Sequence, residues 1–132
     1  AAEAGPSTTP GRLAALNAAS ILVSLGRFDE ARTRYEQLAS GSDLIARGAQ
    51  LGTAQAQMRA GQLDPAIATL KTLSTQTNAG LPADGVLMEL ARAYQAAGKT
   101  DDARKTLNEI VEKHAESPFA SEARAELDKL KG

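Results

Sequence analysis

His114 is the single histidine of the chain, and it bounds the acid–base and metal chemistry available. A multi-histidine metal site is excluded, and so is a relay with several histidine members. Its acidic neighbours Glu112 and Glu116 stand at i−2 and i+2, positions that do not share a helix face. The expectation is a solvated side chain near a helix C-terminus, where partial positive charge suits the dipole. Asp29-Glu30 and Asp101-Asp102 are the paired acids. Catalytic carboxylates need a cleft and separated environments, whereas both pairs stand where a helix begins. There they complement the N-terminal dipole, and Glu30 can pair with Arg34 at i+4. Ser20, Ser24, Ser40, Ser42, Ser74, Ser117 and Ser121 lack a G-x-S-x-G setting and a plausible base, so no nucleophilic triad is supported. Gly41, Gly48 and Gly52 have neither the spacing nor the following Lys-Ser/Thr of a phosphate loop. With no cysteine, disulfides, zinc ribbons, iron–sulfur clusters and thiol nucleophiles are excluded. The expectation is a protein that is not an enzyme, with no catalytic residue, cofactor, metal or small-molecule substrate.

Composition points the same way. The chain has 132 residues, and 15 Lys+Arg against 16 Asp+Glu leave a net charge of −1. That gives no basic footprint for a phosphate backbone, so nucleic acid is not an expected partner. The 27 Ala and 16 Leu, with only 3% aromatic residues, favour helix over strand. Hydrophobic content of 42% argues for a packed core. No apolar run approaches the ~20 residues a membrane-spanning helix needs. The opening Ala1-Ala2-Glu3-Ala4-Gly5-Pro6 has neither a basic region nor an initiator Met, so it reads as the cut end of a longer or processed protein rather than a signal peptide.

The elements follow from a repeat. Gly26-Arg27-Phe28-Asp29-Glu30-Ala31, Gly61-Gln62-Leu63-Asp64-Pro65-Ala66 and Gly98-Lys99-Thr100-Asp101-Asp102-Ala103 align without gaps. Each Ala is followed four residues later by Tyr35, Leu70 or Leu107, and seven later by Leu38, Leu73 or Ile110. Those spacings share one helix face. The Gly suits the left-handed position that ends one helix before the next begins. Helices are expected near 12–25, 28–39, 43–60, 63–76, 83–97, 100–114 and 118–131. Pro65 is tolerable in a first turn, and Ser117-Pro118 marks a start with Ser as N-cap. Thr77-Asn78-Ala79-Gly80-Leu81-Pro82 reads as a loop.

The pattern resembles the tetratricopeptide repeat (TPR). The third unit carries it best, through Leu87, Leu90, Ala91, Tyr94, Gly98, Ala103, Leu107 and Ile110; the first does so from Ala19 and Leu22 through Leu38. The second is weaker, with Gln57 where Leu22 and Tyr94 stand, and with Gly48 and Gly52 inside its first helix. The resemblance covers roughly 12–130 and implies an all-α, right-handed α-solenoid of about three helix–turn–helix units plus a capping helix. The expected bounds are a flexible lead-in over 1–11, then one domain over 12–132. Its units lie near 12–42, 43–80 and 83–116, and its cap over 118–131.

In that family the first helix of each unit lines a concave groove. Carried over by register, the groove residues are Leu16, Asn17, Ser20 and Val23; Leu51, Gln55, Met58 and Arg59; and Met88, Glu89, Arg92 and Gln95. This mixture suits a peptide or helix of another protein, with Arg59 and Arg92 available to an acidic group. Met58 and Met88 are equally compatible with core packing. The family's Lys/Asn carboxylate clamp is replaced by Leu16 and Ser20, which disfavours a chaperone co-factor role. Glu116-Ser117-Pro118-Phe119-Ala120-Ser121-Glu122-Ala123 is similar to the last helix of bacterial envelope TPR modules, of the Sec-translocon ancillary or Tol–Pal coordinator type. That implies a periplasmic or membrane-tethered protein, touching membrane only through a segment absent from this chain. The alternative is a homodimer-forming element, with close approach permitted at Gly48, Gly52, Ala54 and Ala56.

Overall fold

Three glycines set the chain reversals. Gly26, Gly61 and Gly98 take φ of 77°, 81° and 73°, a region that side chains with a Cβ rarely adopt. In each case the Gly N–H reaches back three residues and the next N–H reaches back five. The bonds are Gly26 to Val23 and Arg27 to Leu22, Gly61 to Met58 and Gln62 to Gln57, and Gly98 to Gln95 and Lys99 to Tyr94. All three are Schellman terminations, which satisfy the last carbonyls of the preceding helix.

The computed structural model describes residues 8–41, 43–76 and 81–131. Among them the protein has seven helices and no strand: α1 (Thr9–Ser24), α2 (Phe28–Leu38), α3 (Leu44–Arg59), α4 (Leu63–Ser74), α5 (Ala83–Ala96), α6 (Thr100–Lys113) and α7 (Phe119–Lys131). Six starts fall within one residue of the sequence expectation. The first begins about a turn early because Thr8 caps it, accepting from the Gly11 N–H at 3.1 Å, with Pro10 in the first turn. The expected lead-in outside that turn, residues 1–7, lies outside the described residues, as do Ser42 and residues 77–80 of the expected loop.

The chain divides into two compact units, residues 1–62 and 63–132. In the first, α1 packs on α2, α2 on α3, and α1 on α3. Ala19, Leu22, Ala31, Tyr35, Leu38 and Ala49 form its core, with Leu16 and Val23 partly buried against it. Gly52 of α3 lies against the ring of Tyr35, so closely that a Cβ there would overlap the ring. The helix-weakening glycine is thus the residue that lets α2 approach α3. In the second unit, α4 packs on α5, α5 on α6, and α7 on both α5 and α6. Leu87, Met88, Ala91, Leu107, Ile110 and Ala123 form a core with Val111, Phe119, Leu127 and Leu130 around it. The small fourth residue of each second helix, Ala31, Ala66 or Ala103, is fully buried, which allows close helix approach.

Candidate functional site: the first-helix faces

In the first unit the candidate residues sit on α1 and α3. Asn17 and Ser20 of α1 are exposed, and Leu16 is half-buried against the core. On α3, Leu51, Gln55 and Met58 are half-buried and Arg59 is exposed. The two helices are joined at their N-terminal ends, where Arg12 Nη1 donates to Asp43 Oδ2 at 2.6 Å and Nη2 to Oδ1 at 3.0 Å. Asp43 also accepts from the Ala46 N–H at 2.9 Å as the N-cap of α3. These bonds, that of Arg12 foremost, hold the Asp43 carboxyl down at about 2. Burial raises the Tyr35 hydroxyl above the usual phenol range, and its hydrogen bond with Ser20 opposes that shift.

The second unit has spent its corresponding groups internally. Met88 is 1% exposed and lies in the core, so of the two roles open to it in the sequence the structure gives it packing; it lines no groove. Arg92 Nη2 donates to Glu122 of α7 at 2.7 Å and Nη1 to Glu89 at 3.2 Å. Gln95 Nε2 donates to Glu126 Oε2 at 3.1 Å. Hydrogen bonds from Gln95 and Lys129 keep the Glu126 carboxyl below its usual range. Arg92 therefore already holds an acidic group, contributed by the protein's own last helix. Neither Glu122 nor Glu126 is among the residues that the sequence alone marks as site partners. The missed signal is an offset: Arg12 to Asp43 spans 31 residues, Arg92 to Glu122 spans 30, and Gln95 to Glu126 spans 31.

Two further expectations are corrected. Glu30 pairs with Arg27 at 2.6 Å rather than with Arg34, because Arg27 precedes α2 and lies one turn back. Gly52, Ala54 and Ala56 are buried inside the unit, with Gly52 covered by Tyr35, so these three are not available to a second chain, while Gly48 is half-buried.

His114 ends α6, its N–H bonded to the Ile110 carbonyl at 2.8 Å. Because the chain leaves the helix there, the face argument stops applying: His114 lines an open depression of about 480 Å³ together with Asp84, Glu112, Lys113, Glu116 and Ser117. The serine is not poised for attack. Its hydroxyl donates to Asp84 Oδ2 at 2.5 Å and accepts from the Phe119 N–H at 3.0 Å, so it caps α7 and anchors it to α5. That bond is also the main reason the Asp84 carboxyl lies below its usual range. A nucleophile would need its hydroxyl on the imidazole. Among the described residues, no group of three or more His, Cys, Asp or Glu is gathered to hold a metal ion.

Two family models, both of the tetratricopeptide repeat, match residues 16–78 and 84–127 and together take in most of the chain. Among solved structures, a glutamine-to-methionine variant of nearly identical TPR-like repeats from Podosopora anserina, assigned to a kinesin light chain, aligns with a TM-score of 0.73. The match has 23% identity over 89% of this chain and 63% of that one. The structure without that substitution aligns with a TM-score of 0.72 and 23% identity over 89% of this chain and 64% of that chain. This chain thus spans just under two thirds of their length, and likeness at that identity speaks for the fold: a TPR-like solenoid. No curated protein matches. Proteins of such repeats are generally non-catalytic scaffolds that mediate protein–protein interaction. Both units of the chain thus carry tetratricopeptide repeats.

Proposed function

We propose that the protein is a non-catalytic binding module that takes a peptide or helix of another protein on the α1–α3 face of its first unit. The observation that carries this reading is the contrast between the two units. In the second, Met88 is core and Arg92 and Gln95 are engaged by α7. In the first, Asn17, Ser20 and Arg59 are exposed beside half-buried Leu51, Gln55 and Met58. A soft thioether, an amide and a guanidinium on adjacent turns of α3 suit an amphipathic segment with an acidic end.

Panning a peptide library on the intact chain tests this. Selected peptides should lose at least about tenfold in affinity, roughly 1.4 kcal/mol, against Met58→Glu and Arg59→Glu. Equal binding by wild type and both variants, with helical content unchanged, sinks the reading. A bacterial envelope setting is its finer part, supported by the resemblance of residues 116–123 noted above. Fractionation of the native host is the check, and a cytosolic protein would overturn it.

A further inference from the structure

α3 is divided lengthwise. Ala46, Ala49, Thr53 and Ala56 are buried. Leu44, Gly48, Leu51, Gln55 and Met58 follow one another at steps of four and three residues, which keeps them together on the other side. Leu44 is 54% exposed and the other four are half-buried. Such a stripe is a seam along which a second helix packs. Gly48 leaves the seam low one turn from its start, where a Cβ would meet only Leu16 Cδ2 at 3.7 Å.

The charges beside the seam select its occupant. Residues 8–62 hold six Arg and no Lys against four carboxylates. Arg12 takes Asp43, Arg27 takes Glu30, and Arg32 takes Asp29 and Glu36. Every one of those carboxylates is engaged, and among the described residues no ion pair reaches Arg34, Arg47 or Arg59. Two of these three belong to α3. Arg47 precedes Gly48 and Arg59 follows Met58, so they flank the seam on opposite sides near its two ends. Twelve residues of helix set them about 18 Å apart along the axis. Arg47 is also held in place: its Nη1 donates to Gln50 Oε1 at 3.0 Å, and Gln50 Nε2 donates to the Ala39 carbonyl at 3.1 Å. Its Nε is closed off from solvent with no acceptor. A guanidinium ordered in advance loses little freedom on meeting a carboxylate.

We propose that the occupant of this seam is an amphipathic helix of about four turns with an Asp or Glu near each end. The two acids stand on opposite flanks of an apolar stripe spaced at three and four. This rests on the peptide-binding reading above and narrows its ligand. An extended segment does not match the steps of the seam. A helix acidic at one end only covers Arg47 or Arg59 without pairing it, which strips water from a charge. A basic helix is repelled by the same two arginines.

Two synthetic helical peptides of about 18 residues test this on the intact chain. Both carry Leu at alternating steps of three and four; one has Glu beside the stripe near each end, and its twin has Gln there. Anisotropy titrations should give the Glu peptide a Kd at least about tenfold lower. Arg47→Gln and Arg59→Gln should each remove most of that difference while helical content stays the same. A peptide with Lys for Glu at one end should bind Arg47→Glu better than wild type, and one with Lys at the other end should do so for Arg59→Glu. Equal affinity of the Glu and Gln peptides, both lost on Met58→Glu, overturns the acidic requirement and leaves the peptide-binding reading standing. Binding that Met58→Glu does not change overturns both. Binding by neither peptide also overturns the proposal, and panned peptides that still lose affinity against Met58→Glu would then leave the broader reading intact.

Discussion

The ring of Tyr35 occupies the space that a Cβ on Gly52 would need. Tyr35 is 5% exposed and cannot swing into solvent without opening the α2–α3 contact. Gly52→Ala should therefore destabilise the protein by about 1–3 kcal/mol through overpacking, net of any gain in helix propensity. Gly48 is the control, four residues earlier on the same helix. A Cβ there meets only Leu16 Cδ2, at an ordinary 3.7 Å, so Gly48→Ala should stabilise by about 0.5–1 kcal/mol. Urea unfolding of both variants reads the two opposite signs.

The two methionines should part in the same way. Met88 is fully enclosed among Leu87, Ala91, Leu107, Ile110 and Ala123, so Met88→Ala leaves a cavity and should cost about 2–5 kcal/mol. Met58 is half-buried, and Met58→Ala should cost under about 1 kcal/mol. Equal losses in thermal melts would place both in one environment and contradict the packing described.

The contact between α5 and α6 gives a paired test of register. Ala103 and Leu107 are both 0% exposed. Ala103→Leu should cost about 1–3 kcal/mol by overpacking, and Leu107→Ala about 2–5 kcal/mol by cavity formation. Melting temperatures unchanged in both variants would mean the repeat register is wrong.

Acid should act on the first unit through Asp43. Its carboxyl is held at about 2, first by the Arg12 guanidinium and then by the Ala46 N–H. The folded value lies below the ordinary one, so the stabilisation is complete above roughly pH 4 and is lost as pH falls towards 2. Asp43→Asn retains a capping side chain but not the charge. The stability gap between wild type and this variant should shrink as pH falls from about 4 to about 2, and a carboxyl NMR titration should show the low midpoint directly. A gap independent of pH would mean that the pair contributes nothing to folding.

The fold was largely legible because its determinants are local. Gly26, Gly61 and Gly98 announce left-handed helix ends, and Ala31, Ala66 and Ala103 announce close contacts, each through residue type and spacing alone. The candidate site was less so. Whether Met88 faces a groove or a core depends on where α7 comes to rest, which heptad-like spacing does not state. The engagement of Arg92 by Glu122 depends on a partner 30 residues away, visible only as a recurring offset of opposite charges. The role of Gly52 was hidden because composition records a missing side chain and not the ring that fills its place.

The hydrogen bonds that tie one helix to a non-adjacent one reach similar distances along the chain: 31 residues for Arg12–Asp43, 30 for Arg92–Glu122 and 33 for Ser117–Asp84. None of them closes a loop much longer than a single repeat. The entropy lost in finding such contacts is small and nearly the same each time. A chain wired this way should collapse quickly, in microseconds to milliseconds, and can begin ordering at any of its three glycine turns.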